Sequence, residues 1–191
     1  MPFRLTTFAV ALSVLTISLT GCAIPTPFPS DQKAGSATTA SVESFSSADI
    51  MFAQMMIPHH QQAVDMSALA LTRSNNPEIL ALADAISAAQ GPEIEHMTSW
   101  LAEAGASMDM GHSMHMDGLL SDDDMAALER ASGKEFDRLY LDGMIAHHQG
   151  AVAMAQTITD SANPNVAQLG SSIVASQTKE IELMKRILTG L

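Results

Sequence analysis

Apolar residues recur at intervals of three and four along four stretches of the chain, and this period predicts four long helices. The pattern places them at about 47–73, 77–105, 134–160 and 165–189. The segments SNNP and SANP end the first and third helices, and Pro77 is tolerated in the first turn of the second. Gly91-Pro92 should kink that helix without ending it, because the apolar period continues beyond them. Ser121, followed by three aspartates, predicts a short extra helix.

The second half of this pattern repeats the first. DIMFAQMMIPHHQQAVDM at 49–66 matches DRLYLDGMIAHHQGAVAM at 137–154, and QGPEIEHM at 90–97 matches QTKEIELM at 177–184. Two copies of a helical hairpin predict an all-α four-helix bundle. A helix of about 27 residues is roughly 40 Å long at 1.5 Å per residue, and the segment between the hairpins, about 105–134, is long enough to span it. We therefore favour the long crossover of ferritin-like bundles over up-and-down order. The predicted domain covers 46–191: hairpin 1 at 46–105, a Met/His loop and the short helix at 106–133, and hairpin 2 at 134–191.

The N-terminus has the pattern of a bacterial lipoprotein signal. Residues 1–22 contain an apolar run that ends in Leu-Thr-Gly-Cys, so Cys22 is the expected lipidation site. The run is too short for a spanning helix of about 20 residues. Residues 23–45 are rich in Pro, Ser, Thr and Ala and predict a flexible linker. We therefore expect an extracytoplasmic protein attached to a bacterial membrane, in the periplasm or at the cell surface, through its N-terminal lipid only.

The amino-acid composition limits which partners and which cross-links are expected. The formal charge of −12 disfavours a nucleic-acid partner, because phosphates would be repelled. Cys22 is the only cysteine, so no disulfide is expected in the folded part. Fourteen methionines and only 4% aromatic residues predict a core rich in methionine, and four of the seven histidines lie in two His-His doublets.

Both doublets lie near the middle of their helices, so they should occupy the same level of the bundle in either helix order. Adjacent positions on a helix point about 100° apart. We expect His60 and His148 to face the core, each with a methionine one turn away, and His59 and His147 to act as flanking ligands or hydrogen-bonded supports. A metal ion would satisfy several buried imidazole nitrogens at once. The alternative is that the histidines are hydrogen-bonded core residues without a metal.

The ligand types favour copper. Thioether and imidazole donors select Cu(I) over Mg²⁺ or Ca²⁺, and zinc sites seldom use methionine. Iron is less favoured: a di-iron bundle needs Glu-x-x-His on two helices, and Glu93 to His96 has no second copy because Leu183 takes the histidine position.

The loop MDMGHSMHMD at 108–117 is a second candidate site, because alternating Met and His suit capture of a soft cation in a flexible segment. Its candidate ligands are Met108, Met110, His112, Met114, His115 and Met116. The alternative is a methionine-rich linker without a function.

The two His-His segments and the segments AAQGPEIEHMTSWL and ASQTKEIELMKRIL, which close the hairpins, resemble the family known as domain of unknown function 305 over nearly all of 46–188. The resemblance implies a ferritin-like bundle outside the cytoplasm and, for its studied copper-binding members, metal binding through Met and His. By position it implies the ligands Met56, His59, His60, Met66, Met144, His147, His148 and Met154.

These observations predict an extracytoplasmic copper-binding protein, with Cu(I) favoured, that buffers or sequesters the metal and is not an enzyme. A copper donor or acceptor protein and a second copy of the chain are candidate partners. The alternatives are a ferritin-like metal-dependent oxidoreductase and a metal-free structural or interaction module. Nucleophilic catalysis has no support, because no serine lies in a recognisable activating motif.

Overall fold

The computed structural model describes residues 44–109 and 116–191, which form five helices and no strand. The helices are α1 (Ser47–Arg73), α2 (Pro77–Glu103), α3 (Asp122–Arg130), α4 (Gly133–Gln156) and α5 (Pro164–Gly190). The predicted signal peptide, Cys22 and all but the end of the linker lie outside these residues, as do the loop positions 110–115. Within the described part, no helix is both long and apolar enough to cross a bilayer.

Side-chain capping explains where α1, α2, α3 and α5 begin, whereas α4 has no side-chain cap. Ser46 and Asp49 form a capping box at α1, and Ser121 and Asp124 form one at α3. The side chains of Asn76 and Asn163 accept bonds from the first turns of α2 and α5, and each is followed by proline. α2 continues through Pro92, as its apolar period predicts, and α1 similarly contains Pro58.

The predicted end of α4 is wrong. α4 ends at Gln156, and residues 157–160 form turns, whereas the apolar period predicted helix to 160. The amides of Thr157 and Ile158 bond the carbonyls three residues earlier, which tightens the last turn. This turn buries Ile158 to 2% exposure beside Gly170, where a Cβ would lie 2.3 Å from the isoleucine side chain. Burial of one isoleucine therefore takes precedence over another helical turn.

The buried apolar residues form two clusters, and each long helix contributes to both. Cluster 1 contains Ala63, Met66, Ile79, Ile86, Met144, Ile181 and Met184 among others. Cluster 2 contains Phe52, Met56, Met97, Leu101, Ala151, Val166 and Ile173 among others. Along the chain, α1 and α5 run from cluster 2 to cluster 1, whereas α2 and α4 run from cluster 1 to cluster 2. Helices α2 and α4 are thus parallel, and the segment between them returns along the bundle, which confirms the ferritin-like crossover.

The two hairpins, α1 with α2 and α4 with α5, meet chiefly through α1 and α4. Equivalent polar contacts join them at both ends. Ser161 donates to Asp49 at 2.8 Å, and Ser74 donates to Asp137 at 2.5 Å. The two aspartates are repeat equivalents, so the duplication generates a pair of links related by an approximate two-fold axis.

The end of the crossover packs directly on α4. A Cβ on Gly150 would lie 1.9 Å from the carbonyl oxygen of Asp117, and Gly118 has φ of +88°. Gln62 of α1 binds both backbone groups of Leu120, accepting at 2.8 Å and donating at 3.0 Å. Two glycines and one glutamine therefore hold the crossover against the middle of α1 and α4, the two central helices of the bundle.

Candidate metal site at the middle of the bundle

A layer of polar side chains separates the two apolar clusters. It consists of His59, His60, Gln90, His147, His148 and Gln177, each at most 2% exposed. The imidazole rings of His59 and His147 meet where α1 and α4 cross, with 3.9 Å between their centroids. The two doublets therefore lie at the same level, as the lengths of their helices predict.

The Nε2 atom of each of the four histidines in the layer has an acceptor. His60 donates to the Glu93 carboxylate at 2.8 Å, and His148 donates to that of Glu180 at 2.7 Å. The Nε2 of His147 bonds the backbone oxygen of His59 at 2.8 Å. His59 breaks the two-fold symmetry, because its Nε2 bonds the Asp117 carbonyl of the crossover at 3.2 Å. Since these partners are carbonyl or carboxylate oxygens, Nε2 carries the proton in all four bonds.

The opposite ring nitrogens have no such partner. The Nδ1 atoms of all four histidines are buried without a hydrogen bond. In an uncharged ring protonated at Nε2, Nδ1 carries a lone pair that can bind a metal, and a carboxylate on the other nitrogen is the usual partner that orients a histidine ligand. The imidazole donors of the layer therefore fit a transition-metal cation, although no three His, Cys, Asp or Glu side chains within 44–109 and 116–191 are grouped closely enough to hold an ion by themselves.

Burial keeps the central pair of imidazoles uncharged. It lowers the pKa of His59 from 6.5 to about 4, against the opposing effect of the bond to Asp117. Burial, together with the neighbouring His59 and His148, lowers the pKa of His147 to about 2. Neither ring needs to lose a proton before binding a cation near neutral pH.

The pKa shifts predict a pH-dependent stability. Below pH 6.5 the unfolded chain protonates both histidines, whereas the folded protein protonates His59 only near pH 4 and His147 only near pH 2. Stability is therefore complete above pH 6.5 and falls by up to about 1.4 kcal/mol per pH unit for each histidine as the pH drops. Urea unfolding of metal-free protein from pH 7.5 to 4.5 measures this. A His59→Gln, His147→Gln variant should have a flatter profile, and equal slopes would contradict the expectation.

His59 and His147 are hydrogen-bonded, as expected, but the predicted division between core-facing and flanking histidines is wrong. All four rings are fully buried, and they differ only in what they face. His59 and His147 face each other across the hairpin interface, whereas His60 and His148 face the second helix of their own hairpins. The 100° between adjacent positions is correct, but both directions are interior because each central helix is covered on two sides.

The candidate methionines lie above and below the layer. Met56 belongs to cluster 2 and its repeat equivalent Met144 to cluster 1, one turn from His60 and His148 respectively. Met66 is fully buried in cluster 1, and Met154 is partly buried against cluster 2. Apolar packing accounts for all four positions, so they are candidate donors that also fill the core.

The two ends of the candidate loop differ in their exposure to solvent. Met108 is 55% exposed, and Met116 is partly buried next to the residue that bonds His59. Met110, His112, Met114 and His115 lie outside the described residues. The loop therefore joins the bundle at the histidine layer.

Four residues of the site were not predicted from the sequence: Gln90, Glu93, Gln177 and Glu180. The repeat contains the signal, because both hairpins have Gln and Glu three residues apart. His96, part of the same motif, is exposed on α2 and does not join the layer. The Glu-x-x-His element of a di-iron centre is accordingly not assembled among the described residues.

The fold and the site together define a class: a duplicated-hairpin, ferritin-like bundle with a buried histidine layer at its middle. The chain belongs to the DUF305 family, described as a domain of unknown function, whose profile matches residues 49–188. This confirms the resemblance found in the sequence.

Solved structures of relatives have the same fold. A candidate secreted DUF305 protein from Streptomyces coelicolor is 32% identical, with a TM-score of 0.73 over 75% of this chain and 93% of that chain. CopM in its Cu(I)-bound form is 34% identical, with a TM-score of 0.63 over 74% of this chain and 96% of that chain. CopM has also been solved with Cu(II) and with silver. A shorter match, 42% identical over 53 residues, spans 35% of the uncharacterized protein L153 of Acanthamoeba polyphaga mimivirus.

Proposed function

We propose that this chain is an extracytoplasmic copper-binding protein that buffers or sequesters the metal and is not an enzyme. The observation that carries the proposal is the set of four buried imidazoles at one level, each held at Nε2 and unpaired at Nδ1. Four unpaired nitrogens in an apolar interior are unfavourable unless they bind something. A cation that accepts lone pairs removes this cost.

The neighbouring methionines favour Cu(I). Thioether sulfur is a soft donor, and the fully buried Met56 and Met144 lie one turn from His60 and His148. The similarity to CopM, solved with Cu(I), Cu(II) and silver, supports the same class of cargo for this chain. Met108, Met116 and the Met/His positions between them would capture ions at the surface.

A groove between α2 and α5 reaches Glu180, the glutamate that bonds His148 at the edge of the layer. It has a volume of about 340 Å³ and is lined by Glu78, Ala85, Glu180 and Leu183 among others, from α2 and α5. The Glu180 side chain is 21% exposed, although its partner His148 is fully buried. Glu93, the equivalent residue, is 18% exposed. Carboxylates at the edge of the layer would attract a cation toward the imidazoles.

The location and partners form part of the proposal. The signal pattern with Cys22 and the similarity to a candidate secreted relative support a lipid-anchored protein in the periplasm or at the cell surface. A copper donor or acceptor protein and a second copy of this chain are proposed partners.

A metal-free structural role is the second candidate, because every Nε2 already has a hydrogen-bond partner. Elemental analysis and competition with a Cu(I) chelator distinguish the two. The purified protein should contain copper and compete with the chelator.

The contribution of the loop is tested by a variant with serine at Met108, Met110, His112, Met114, His115 and Met116. It keeps the crossover length and should bind fewer ions but retain tight binding. Absence of copper, and no competition by either protein, would favour the structural role; iron with oxygen turnover would favour an oxidoreductase.

A further inference from the structure

Gln90 and Gln177 point into the core at the level of the histidines. Gln90 follows Ile86 by one helical turn and precedes Met97 by two, and all three are at most 2% exposed. Gln177 lies between Ile173 and Ile181 in the same way on α5. The two glutamines are repeat equivalents, and each precedes by three residues the glutamate that holds a histidine.

Their amides are incompletely paired. Gln90 lacks a partner at both Oε1 and Nε2, and Gln177 lacks one at Oε1. A buried amide without a partner lowers stability, and leucine has a similar size without that cost. Both hairpins nevertheless have glutamine in an otherwise apolar stripe. The unpaired atoms that the two hairpins share, Nδ1 of the histidines and Oε1 of the glutamines, are all lone-pair donors.

We propose that Gln90 and Gln177 belong to the metal site and complete one half-site in each hairpin. In hairpin 1, Glu93 orients His60, and the Gln90 amide supplies a further oxygen donor. His148, Glu180 and Gln177 form the equivalent set in hairpin 2. An amide oxygen is a harder donor than imidazole or thioether, so it would contact water bound to the Cu(I) or Ag(I) ion, or the ion itself as a weak additional ligand. An ion bound here would need donors of another type, because the described His and carboxylate side chains do not form a group of three. This inference rests on the proposed function.

The test uses Gln90→Leu, Gln177→Leu and the double variant of the mature chain, with Ag(I) as a redox-stable probe. Leucine removes the unpaired amide, so each single variant should raise the Tm of metal-free protein by about 2–4 °C. It also removes a donor, so Ag(I) affinity should fall at least about tenfold. Calorimetric unfolding with a chelator and Ag(I) titration measure the two effects. Gln168→Leu makes the same change at an exposed position of α5 and should leave Ag(I) affinity unchanged.

Higher stability together with weaker binding supports the inference, because a purely structural glutamine cannot produce both. Lower stability of the metal-free variants would show that the amides support the fold, and would overturn it. Unchanged Ag(I) affinity would overturn it as well. If the wild-type protein binds Ag(I) tightly and the variants bind it equally, only the role of the glutamines fails; if the wild-type protein binds neither Ag(I) nor Cu(I), the proposed function fails too.

Discussion

Replacing His59, His60, His147 and His148 together by glutamine is expected to abolish tight Cu(I) binding while the helices persist. The Nε2 of glutamine can occupy the position of the imidazole Nε2, so the donors to Glu93 and Glu180 are kept. The Nδ1 lone pairs are lost. Removing an indirect partner of a metal ligand already weakens binding 10- to 100-fold, so loss of the ligands should weaken it by more than about 100-fold.

Competition with a Cu(I) chelator measures this change, and far-ultraviolet circular dichroism reports the helices. The matched control is His96→Gln, since His96 is exposed and lies outside the layer. It should bind copper as the wild-type protein does. Two pairwise variants, at positions 59 and 147 and at positions 60 and 148, would separate the central pair from the pair held by carboxylates. Tight binding that survives all four substitutions, with the fold intact, would exclude the histidine layer as the site.

Gly150→Ala is expected to destabilise the protein by about 2–3 kcal/mol and to lower its Tm by about 5–10 °C. The new Cβ would lie 1.9 Å from the carbonyl oxygen and 2.6 Å from the carbonyl carbon of Asp117. Both atoms belong to the backbone, so no side-chain rotation can relieve the overlap. Because that carbonyl also accepts from His59, moving the crossover would break a hydrogen bond of the layer.

Gly91→Ala is the matched control, because nothing lies within 4 Å of the Cβ that it would add. This substitution is within α2, where the gain in helix propensity is opposed by contact of the new Cβ with the ring of Pro92, so it should change stability by less than about 1 kcal/mol. Thermal unfolding of the two metal-free variants measures the difference in the size of the two effects. A Gly150→Ala protein as stable as the wild type would show that the crossover is not held against α4.

The architecture was predictable because its signals are local or repeated. Capping residues, prolines and apolar periodicity identified every helix within the described residues, and the duplication identified the hairpins. The equal level of the doublets also followed from the sequence, since two residues near the middle of long packed helices meet in either direction. The end of α4 was missed because burial of Ile158 against α5 depends on contacts distant in the chain.

The partner of each imidazole could not be predicted in the same way. Adjacent residues on a helix point about 100° apart, but the group that each side chain contacts depends on how the helices pack. The structure surrounds both central helices, so all four rings are interior, and only its packing shows that Glu93 and Glu180 hold two of them. The repeat of Gln90 in Gln177 was visible in the sequence, but the burial of both amides was not.

Periodicity, capping and helix length were thus enough to predict the four long helices, the duplication and the common level of the histidines, and they favoured the long crossover. The packing of the helices was needed to show which nitrogens are paired, which remain unpaired, and how the crossover contacts the layer at His59. Those features depend on distances between residues far apart in the chain, and such distances are set by close packing of the helices.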